Sequence, residues 1–296
     1  MPMSARQFLK RSPMAVRVYR ACKRIAHTVF PPDGFAELSP GPSGSAQPSP
    51  VLPAAQFNEA DLDIYKQYPP HVLYTFTAKH AIFRDALKAY ASVSVADEAS
   101  GLHTDPNRVL NFFQMIEAAN RLPPGDYIEL GSHRGFSLRV IHRFMDPTRT
   151  LYSIDTFEGF DERDIAIEKT KYDTPWTAGS FAPTSVERVA KYVGDGSWPG
   201  NLKIIKGWFP ESFQGLGDKR WRFVHIDFDL YQPIKAALET LWNPLLPGGV
   251  IMVHDYGSYG FPAARKAVDE FCATIGQLPI ELSDRWSTAV LRKPLA

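Results

Sequence analysis

The residues best suited to chemistry follow two short apolar segments in the C-terminal half of the chain. Asp227 and Asp229 stand at the end of one segment, and His254 and Asp255 stand at the end of the next. Carboxylates crowded together are costly unless a cation, a proton or a basic partner offsets their charge. Carboxylate oxygens suit a hard cation such as Mg²⁺, and a histidine also permits a transition metal. Asp227, His254 and Asp255 are therefore the candidate metal ligands.

The same residues are candidates for acid–base chemistry. A carboxylate or an imidazole within hydrogen-bond reach of a hydroxyl group can take up its proton. We therefore regard Asp227, Asp229 and His254 as candidate catalytic residues, with His254 or Asp229 as the base in the absence of a metal. The structural alternative is that Asp227 and Asp255 cap turns and that His254 packs in the core.

A second candidate site surrounds two glycines. The chain reads Glu129-Leu-Gly131-Ser-His-Arg-Gly135-Phe-Ser137 after an apolar strand, so the backbone can pass close to a ligand at both glycines. The spacing differs from the G-x-G-x-x-G pattern of dinucleotide sites. Asp155 ends the next strand, where an acid can accept hydrogen bonds from both hydroxyls of a ribose. Together these features indicate an adenosine-type ligand, with a tight turn and a helix-capping acid as the structural alternative.

These candidate residues are positioned by short apolar strands that alternate with amphipathic helices. The strands are predicted over 126–131, 151–155, 202–206, 222–227 and 250–254, with a closing pair at 279–282 and 288–292. The helices are predicted over 107–122, 135–144, 184–193, 233–242 and 263–275. Such alternation is typical of an α/β fold in which helices cover both faces of a mostly parallel, seven-stranded sheet. Ligands in such folds bind at the carboxyl ends of the strands, where the candidate residues stand.

The first 104 residues divide into three segments that differ from this core. Residues 1–30 contain seven basic residues and no acid, and their apolar residues recur every three to four positions, which predicts a helix with one apolar stripe. This predicted helix has three interpretations: a membrane-surface helix, an organelle transit peptide, or a solvated or partner-packed helix. We favour the last. Residues 31–56 are rich in Pro, Ser and Gly and predict a flexible linker. Residues 57–104 are predicted to form a helical or irregular extension on the substrate side of a main domain over 105–296.

Composition argues against several classes of protein. The formal net charge is +1, and it is −6 once the seven N-terminal basic residues are set aside, so a nucleic-acid partner is not expected. The two cysteines, Cys22 and Cys272, have no metal-binding or redox spacing, which favours a reducing, cytoplasmic location. No apolar run reaches the ~18 residues of a membrane span, so a membrane contact would be peripheral and would use the basic N-terminus.

The stretch 162–183 is longer than a plain connection between a strand and a helix, and it contains Tyr172, Trp176 and Phe181. Long loops that carry aromatic residues often act as lids or as walls of a substrate site. We therefore predict a loop that forms a lid or a wall of the substrate site, with a surface loop that packs its own aromatic residues as the alternative.

Five motifs follow one another along the main domain. They are Gly125-Asp-Tyr-Ile-Glu-Leu-Gly-Ser-His-Arg-Gly-Phe-Ser137, Asp155-Thr-Phe-Glu-Gly-Phe160, Gly207-Trp-Phe-Pro-Glu-Ser-Phe213, His225-Ile-Asp-Phe-Asp-Leu-Tyr231 and Pro247-Gly-Gly-Val-Ile-Met-Val-His-Asp-Tyr256. Together and in this order they resemble the macrocin and mycinamicin sugar O-methyltransferases, which act on deoxysugars of macrolide antibiotics. The resemblance covers about residues 107–262.

The resemblance implies a Rossmann-like class I methyltransferase fold and S-adenosylmethionine as the methyl donor. It also implies a small-molecule hydroxyl group as the acceptor, on a sugar or a polyketide-like natural product. Carried over residue by residue, the donor contacts are Glu129, Gly131, Ser132 and Gly135 for the methionine part, Ser137 at the start of the first helix, Asp155 for the ribose, Thr156 and Phe157 beside the nucleoside, Trp208 and Phe209 at the adenine, and Asp227.

The resemblance also bears on the metal. In this family, and in the similar catechol-type enzymes, Mg²⁺ is bound by an Asp after the fourth strand and by an Asp-Asp or Asp-Asn pair after the fifth. The matching residues here are Asp227, His254 and Asp255. His254 departs from the usual acid, which implies either that no metal binds or that a different metal is preferred. Leu230 stands where catechol-type enzymes carry a lysine, which excludes a lysine base at that position. Family members often oligomerise, so a homo-oligomer is consistent with the resemblance.

Two other functions share these features. A nicotinamide-dependent oxidoreductase would use the same sheet and the same ribose acid, but the missing G-x-G-x-x-G pattern disfavours it. A non-catalytic binding protein could retain the fold without turnover, because a fold does not by itself determine function.

Overall fold

The sheet that carries the candidate residues has seven strands, in the order β3-β2-β1-β4-β5-β7-β6. In the computed structural model the described residues are 106–172, 174–182, 184–284 and 286–295, so the predicted segments 1–30, 31–56 and 57–104 lie outside them. The strands are β1 Asp126–Leu130, β2 Leu151–Asp155, β3 Leu202–Lys206, β4 Trp221–Ile226, β5 Leu245–Val253, β6 Ile280–Leu282 and β7 Thr288–Arg292. The first five are parallel, and β7 runs antiparallel to β5 and β6. The predicted mostly parallel, seven-stranded sheet is confirmed.

Six helices cover the sheet in the described part of the chain. They are α1 Pro106–Asn120, α2 Phe136–Phe144, α3 Glu162–Tyr172, α4 Val186–Val193, α5 Tyr231–Trp242 and α6 Pro262–Ile275. Side chains of α3, α5 and α6 pack on one face of the sheet, and side chains of α1, α2 and α4 pack on the other. No helix in the described ranges is long and apolar enough to cross a membrane.

Strand β1 shows why the sheet must be covered on both sides. Ile128 and Leu130 point into one apolar cluster, whereas Tyr127 points into the other, because successive side chains of a strand face opposite ways. All three are fully buried. Ile128 and Leu130 would each contribute roughly 1.5–3 kcal/mol by leaving water, which stabilises a strand of only five residues. The chain leaves β1 towards β2 on one side, and β4 pairs on the other side. The order of the strands therefore reverses at β1 and β4, where such folds bind ligands.

Two predictions about elements were wrong. Strand β5 begins at Leu245, before the predicted turn at Pro247, because the bulge in its pairing with β4 accommodates the Pro-Gly-Gly sequence inside the strand. The stretch 162–183 is not a loop throughout, since its first half forms helix α3. The buried positions of α3 include the acids Asp164 and Glu168 as well as Ile165, so the helix lacks the apolar stripe that would have revealed it.

Candidate active site

The glycine turn after β1 lies directly against the chain that leaves β4. Gly131 has φ +82°, and a Cβ atom at this position would lie 2.1 Å from the carbonyl oxygen of Asp227. The Gly131 N–H donates to the carbonyl of Ile154, and the Asp227 N–H donates to the carbonyl of Leu130, both within 2.9 Å. Only glycine combines this conformation with this approach. The turn thereby joins the ends of β1, β2 and β4 into one platform.

Asp155, at the end of β2, is held by the backbone. Its two carboxylate oxygens accept hydrogen bonds from the N–H groups of His133 and Phe157, at 2.8 and 2.7 Å. Burial raises the pKa of Asp155, although the backbone N–H groups oppose that change. Each carboxylate oxygen has a second lone pair, so both remain able to accept a hydrogen bond from a ribose hydroxyl.

The acidic residues after β4 and β5 form a connected cluster. Asp227 Oδ2 accepts from the guanidinium of Arg108 at 2.7 Å, and Asp227 Oδ1 lies 3.0 Å from His254 Nδ1. The same His254 nitrogen lies 2.8 Å from Asp255 Oδ2. Asp229 and Asp255 both have positive φ angles, 63° and 59°, in a region that non-glycine residues seldom occupy. Conformations of this kind concentrate at functional sites.

The charges of the cluster differ from residue to residue. Burial would raise the pKa of Asp227, but the positive charges of His254 and Arg108 hold it well below its usual range. Burial and the charges of Asp255 and Asp227 raise the pKa of Asp229 well above its usual range. Burial and Arg108 disfavour the charged form of His254, but the carboxylates of Asp255 and Asp227 outweigh them and raise its pKa to about 9. At neutral pH, Asp227 is therefore ionised and His254 is protonated, whereas Asp229 holds its proton more tightly than an ordinary aspartic acid.

Three of these residues are close enough together to share one metal ion. One ligand atom from each of Asp227, His254 and Asp255 lies within 4.8 Å of the others. Two carboxylates and an imidazole suit a divalent cation, and the imidazole shifts the preference from Mg²⁺ towards transition metals. His254 must lose its proton before it can act as a ligand, so metal affinity would rise with pH. The donor set therefore fits a divalent cation.

A cavity of about 400 Å³ brings most of the predicted residues together. Eleven of them line its wall: Gly131, Ser132, Ser137, Asp155, Thr156, Trp208, Phe209, Asp227, Asp229, His254 and Asp255. The wall does not include Glu129, Gly135 or Phe157. Glu129 is fully buried in β1, where its Oε1 lies 2.8 Å from His225 Nδ1, and Gly135 packs on α4, since a Cβ atom there would lie 2.9 Å from Val189. Phe157 is buried in the apolar cluster beside α4.

The aromatic residues of the stretch 162–183 have different positions. Trp176 and Phe181 line the cavity with Phe160 and Phe261, and the rings of Trp176 and Phe261 stack with centroids 5.2 Å apart. The indole N–H of Trp176 also donates to the carbonyl of Gly260 at 3.2 Å. The segment after α3 is therefore tied across the cavity to the chain that follows β5. Tyr172 packs on Tyr231, and no contact of Tyr172 with the cavity is seen.

Sequence reasoning missed several residues of the wall. Arg108, from the first turn of α1, and Asp164, from α3, both line the cavity. Nothing in the sequence singles out one arginine of an amphipathic helix, and the acid of α3 was hidden by the interpretation of that segment as a loop. Phe160 could have been found, because it ends the second of the five motifs.

Comparison with known proteins identifies a family that matches this chain and two relatives of similar sequence. The sequence profile of the family described as macrocin O-methyltransferase (TylF) matches residues 103–291. The chain is 28% identical over 161 residues to 8-demethyl-8-(2,3-dimethoxy-α-L-rhamnosyl)-tetracenomycin-C 4'-O-methyltransferase of Streptomyces olivaceus. It is 25% identical over 181 residues to demethyldecarbamoylnovobiocin O-methyltransferase of Streptomyces niveus. The matches cover 52% and 56% of this chain, and they span 60% and 65% of the length of the two relatives.

Solved structures are similar in fold. The O-methyltransferase NovP superposes with a TM-score of 0.52 at 23% identity, over 64% of this chain and 80% of its own. The calicheamicin methyltransferase CalS11 superposes with a TM-score of 0.51 at 16% identity, over 84% of this chain and 99% of its own. At such identities the similarity supports the Rossmann-like class I fold alone.

Proposed function

Because this chain belongs to the macrocin O-methyltransferase family, we propose that it transfers a methyl group from S-adenosylmethionine to a hydroxyl group of a small molecule. One observation carries the proposal: the ribose acid Asp155, the turn at Gly131 and the ionised acid Asp227 share the wall of one cavity. The name of the Streptomyces olivaceus relative describes an acceptor that carries a rhamnosyl group, and the name of the Streptomyces niveus relative describes demethyldecarbamoylnovobiocin as its acceptor. A hydroxyl on a sugar or a polyketide-like natural product is therefore the acceptor class that we propose.

The donor side of the cavity suits S-adenosylmethionine. Ser132 lines the cavity, and its Oγ is buried without a hydrogen-bond partner among the described residues. Unsatisfied buried groups are costly, so a polar ligand near the turn would stabilise this hydroxyl. When bound, S-adenosylmethionine supplies a methyl group on a sulfonium, which is already a strong electrophile. The chain itself has to hold the ribose at Asp155 and to align the acceptor oxygen.

The charges favour Asp227 as the acceptor of the hydroxyl proton. At neutral pH His254 already carries a proton, so it is not a base in this state. The raised pKa of Asp229 shifts that residue towards its protonated form. Asp227 is ionised but its pKa is low, which makes it a weak base. Alignment of the reacting atoms, which can supply ~7–11 kcal/mol in favourable cases, then has to provide most of the acceleration.

We also propose a divalent cation at Asp227, His254 and Asp255. Bound there, a cation would lower the pKa of a coordinated hydroxyl group, which would relieve the demand on a weak base. The compact donor set supports this part of the proposal.

The first experiment is a calorimetric titration of the purified chain with S-adenosylmethionine and with S-adenosylhomocysteine, in the presence of Mg²⁺ or of a chelator. Micromolar binding would correspond to about −8 kcal/mol. Methyl transfer is then measured against a pool of hydroxylated sugars and glycosylated polyketides, with Asp227→Ala as the test of the acid. Binding of NAD instead of the sulfonium donor would support an oxidoreductase. Donor binding without transfer to any acceptor would support a binding protein.

Two further proposals concern partners. A peripheral contact of the basic residues of 1–30 with anionic membranes is the alternative to a solvated or partner-packed helix. Sedimentation with anionic compared with neutral vesicles distinguishes the two. A cytoplasmic location and a homo-oligomer remain part of the proposal. Light scattering of the full chain measures its oligomeric state directly.

A further inference from the structure

Asp164 is an acid in the cavity wall that the proposed chemistry does not use. It lies in the first turn of α3, and the residue is only 5% exposed. Its Oδ2 accepts a hydrogen bond from the indole N–H of Trp208 at 2.8 Å. Its Oδ1 is buried and has no hydrogen-bond partner among the described residues. One half of this carboxylate is therefore satisfied by the protein and the other half is not.

Trp208 connects Asp164 to the ribose acid. Asp155 and Lys206 pair at the ends of β2 and β3, and the N–H of Gly207 donates to the Asp155 carbonyl at 2.9 Å. Trp208 follows immediately and lines the cavity. Because a base is attached to its ribose by one bond, a nucleoside held at Asp155 brings its base next to this residue.

The indole itself is held from two directions. The guanidinium carbon of Arg163 lies 3.8 Å from the centre of the Trp208 ring, so one ring face is covered. Asp164 holds the indole N–H. A base that stacks on Trp208 must use the opposite face, and its polar edge then has the carboxylate of Asp164 as a neighbour in the same wall.

The carboxylate is poorly compensated in the absence of a ligand. Burial raises the pKa of Asp164 to about 6, and the nearby charge of Asp161 adds to the effect, while the indole N–H and Arg163 only partly oppose it. A ligand that donated an N–H to the second oxygen would stabilise the ionised form.

We propose that Asp164 selects the base of the methyl donor by accepting a hydrogen bond from the exocyclic amino group of adenine. This inference rests on the proposed function, since it takes the ligand of the cavity to be an adenosyl sulfonium. Hypoxanthine has a carbonyl oxygen in place of the amino group. This oxygen and the carboxylate are both hydrogen-bond acceptors, so they cannot bond to each other. Sites that hydrogen-bond a polar group discriminate strongly against analogues that cannot form the bond.

The test compares S-adenosylhomocysteine with S-inosylhomocysteine by calorimetric titration of the full chain. We expect the wild type to prefer the adenosyl compound at least tenfold. In Asp164→Asn the side-chain amide can donate to the hypoxanthine carbonyl, so the preference falls to about threefold or less through tighter binding of the inosyl compound. Glu168→Gln is the matched control, because Glu168 is also a buried acid of α3 but does not line the cavity. We expect it to keep the wild-type ratio.

A second variant separates recognition of the base from support of Trp208. Trp208→Phe removes the indole N–H but leaves the carboxylate, so it should retain the adenosyl preference even if both ligands bind more weakly. Equal loss of preference in Trp208→Phe and Asp164→Asn would show that Asp164 only positions the indole, and it would overturn the inference. A full wild-type preference in Asp164→Asn, or its loss in Glu168→Gln, would also overturn it. Failure of the wild type to bind S-adenosylhomocysteine would instead refute the proposed function.

Discussion

Substitution of Gly131 by alanine tests the central feature of the site, the contact between the glycine turn and the chain after β4. An alanine would have to adopt φ +82° and to place its Cβ 2.1 Å from the carbonyl oxygen of Asp227. Carbon and oxygen normally meet at ~3.5 Å, so the chain at Asp227 must move back by more than ~1 Å. The hydrogen bond from the Asp227 N–H to Leu130 would be lost or distorted by that movement.

The expected cost follows from two separate effects. A left-handed conformation costs a non-glycine residue ~1–2 kcal/mol, and overpacking of a close contact costs ~1–3 kcal/mol. Gly131→Ala should therefore lower the free energy of unfolding by about 2–5 kcal/mol. Since Asp155 and Asp227 share the wall that the turn supports, affinity for S-adenosylhomocysteine should fall at least tenfold, which corresponds to about 1.4 kcal/mol.

Gly215→Ala is the matched control. Gly215 has φ +89°, but a Cβ atom there would meet nothing within 4 Å. This variant carries the conformational strain alone, and any change in the unfolded chain is the same in both variants. Urea unfolding gives the difference in stability, and calorimetry gives the affinity. Equal destabilisation of the two variants, with unchanged donor affinity in Gly131→Ala, would refute the reasoning from the close contact.

Three further predictions concern single side chains. The side chain of Asp155→Asn can accept a hydrogen bond from only one of the N–H groups of His133 and Phe157. We therefore expect a loss of about 1–3 kcal/mol in stability and at least tenfold weaker binding of S-adenosylhomocysteine. Unchanged binding would show that Asp155 does not hold the ribose. Burial raises the pKa of Glu168 from 4.5 to about 6, so the folded state holds this proton more tightly than the unfolded chain does. The stability of the wild type relative to Glu168→Gln should therefore fall by up to roughly 2 kcal/mol as the pH rises from about 4.5 to 6. Urea unfolding across this range checks the sign, and a flat difference contradicts it. His254→Asp provides a third carboxylate, so calorimetry should show tighter binding of Mg²⁺ relative to Mn²⁺ than in the wild type, and identical selectivity would argue that His254 is not a ligand.

Local pattern was sufficient for most of the fold. The apolar strands of four to six residues and the amphipathic helices between them have distinct periods, so β2 and β3 were predicted at their observed bounds. The right-handed rule for parallel connections and the alternation of elements then leave few arrangements of the sheet. Helix α3 was not predicted, because its buried face carries acids instead of an apolar stripe. Its position depends on packing against elements that are distant in the chain.

The sequence by itself determined which residue types end the strands, and thereby that Gly131, Asp155, Asp227 and His254 would meet at one edge of the sheet. Only the tertiary structure decided their charges, because a pKa depends on burial and on partners that are distant in the chain. Arg108 lies 119 residues before Asp227, yet its guanidinium helps to keep that acid ionised, while the pKa of Asp229, two residues from Asp227, is raised. The tertiary structure also brought Asp164 to Trp208, 44 residues away, and thus placed a buried acid beside the ring that follows the ribose strand. Hydrophobic period is a local property of the chain, whereas electrostatic environment is a property of the folded molecule.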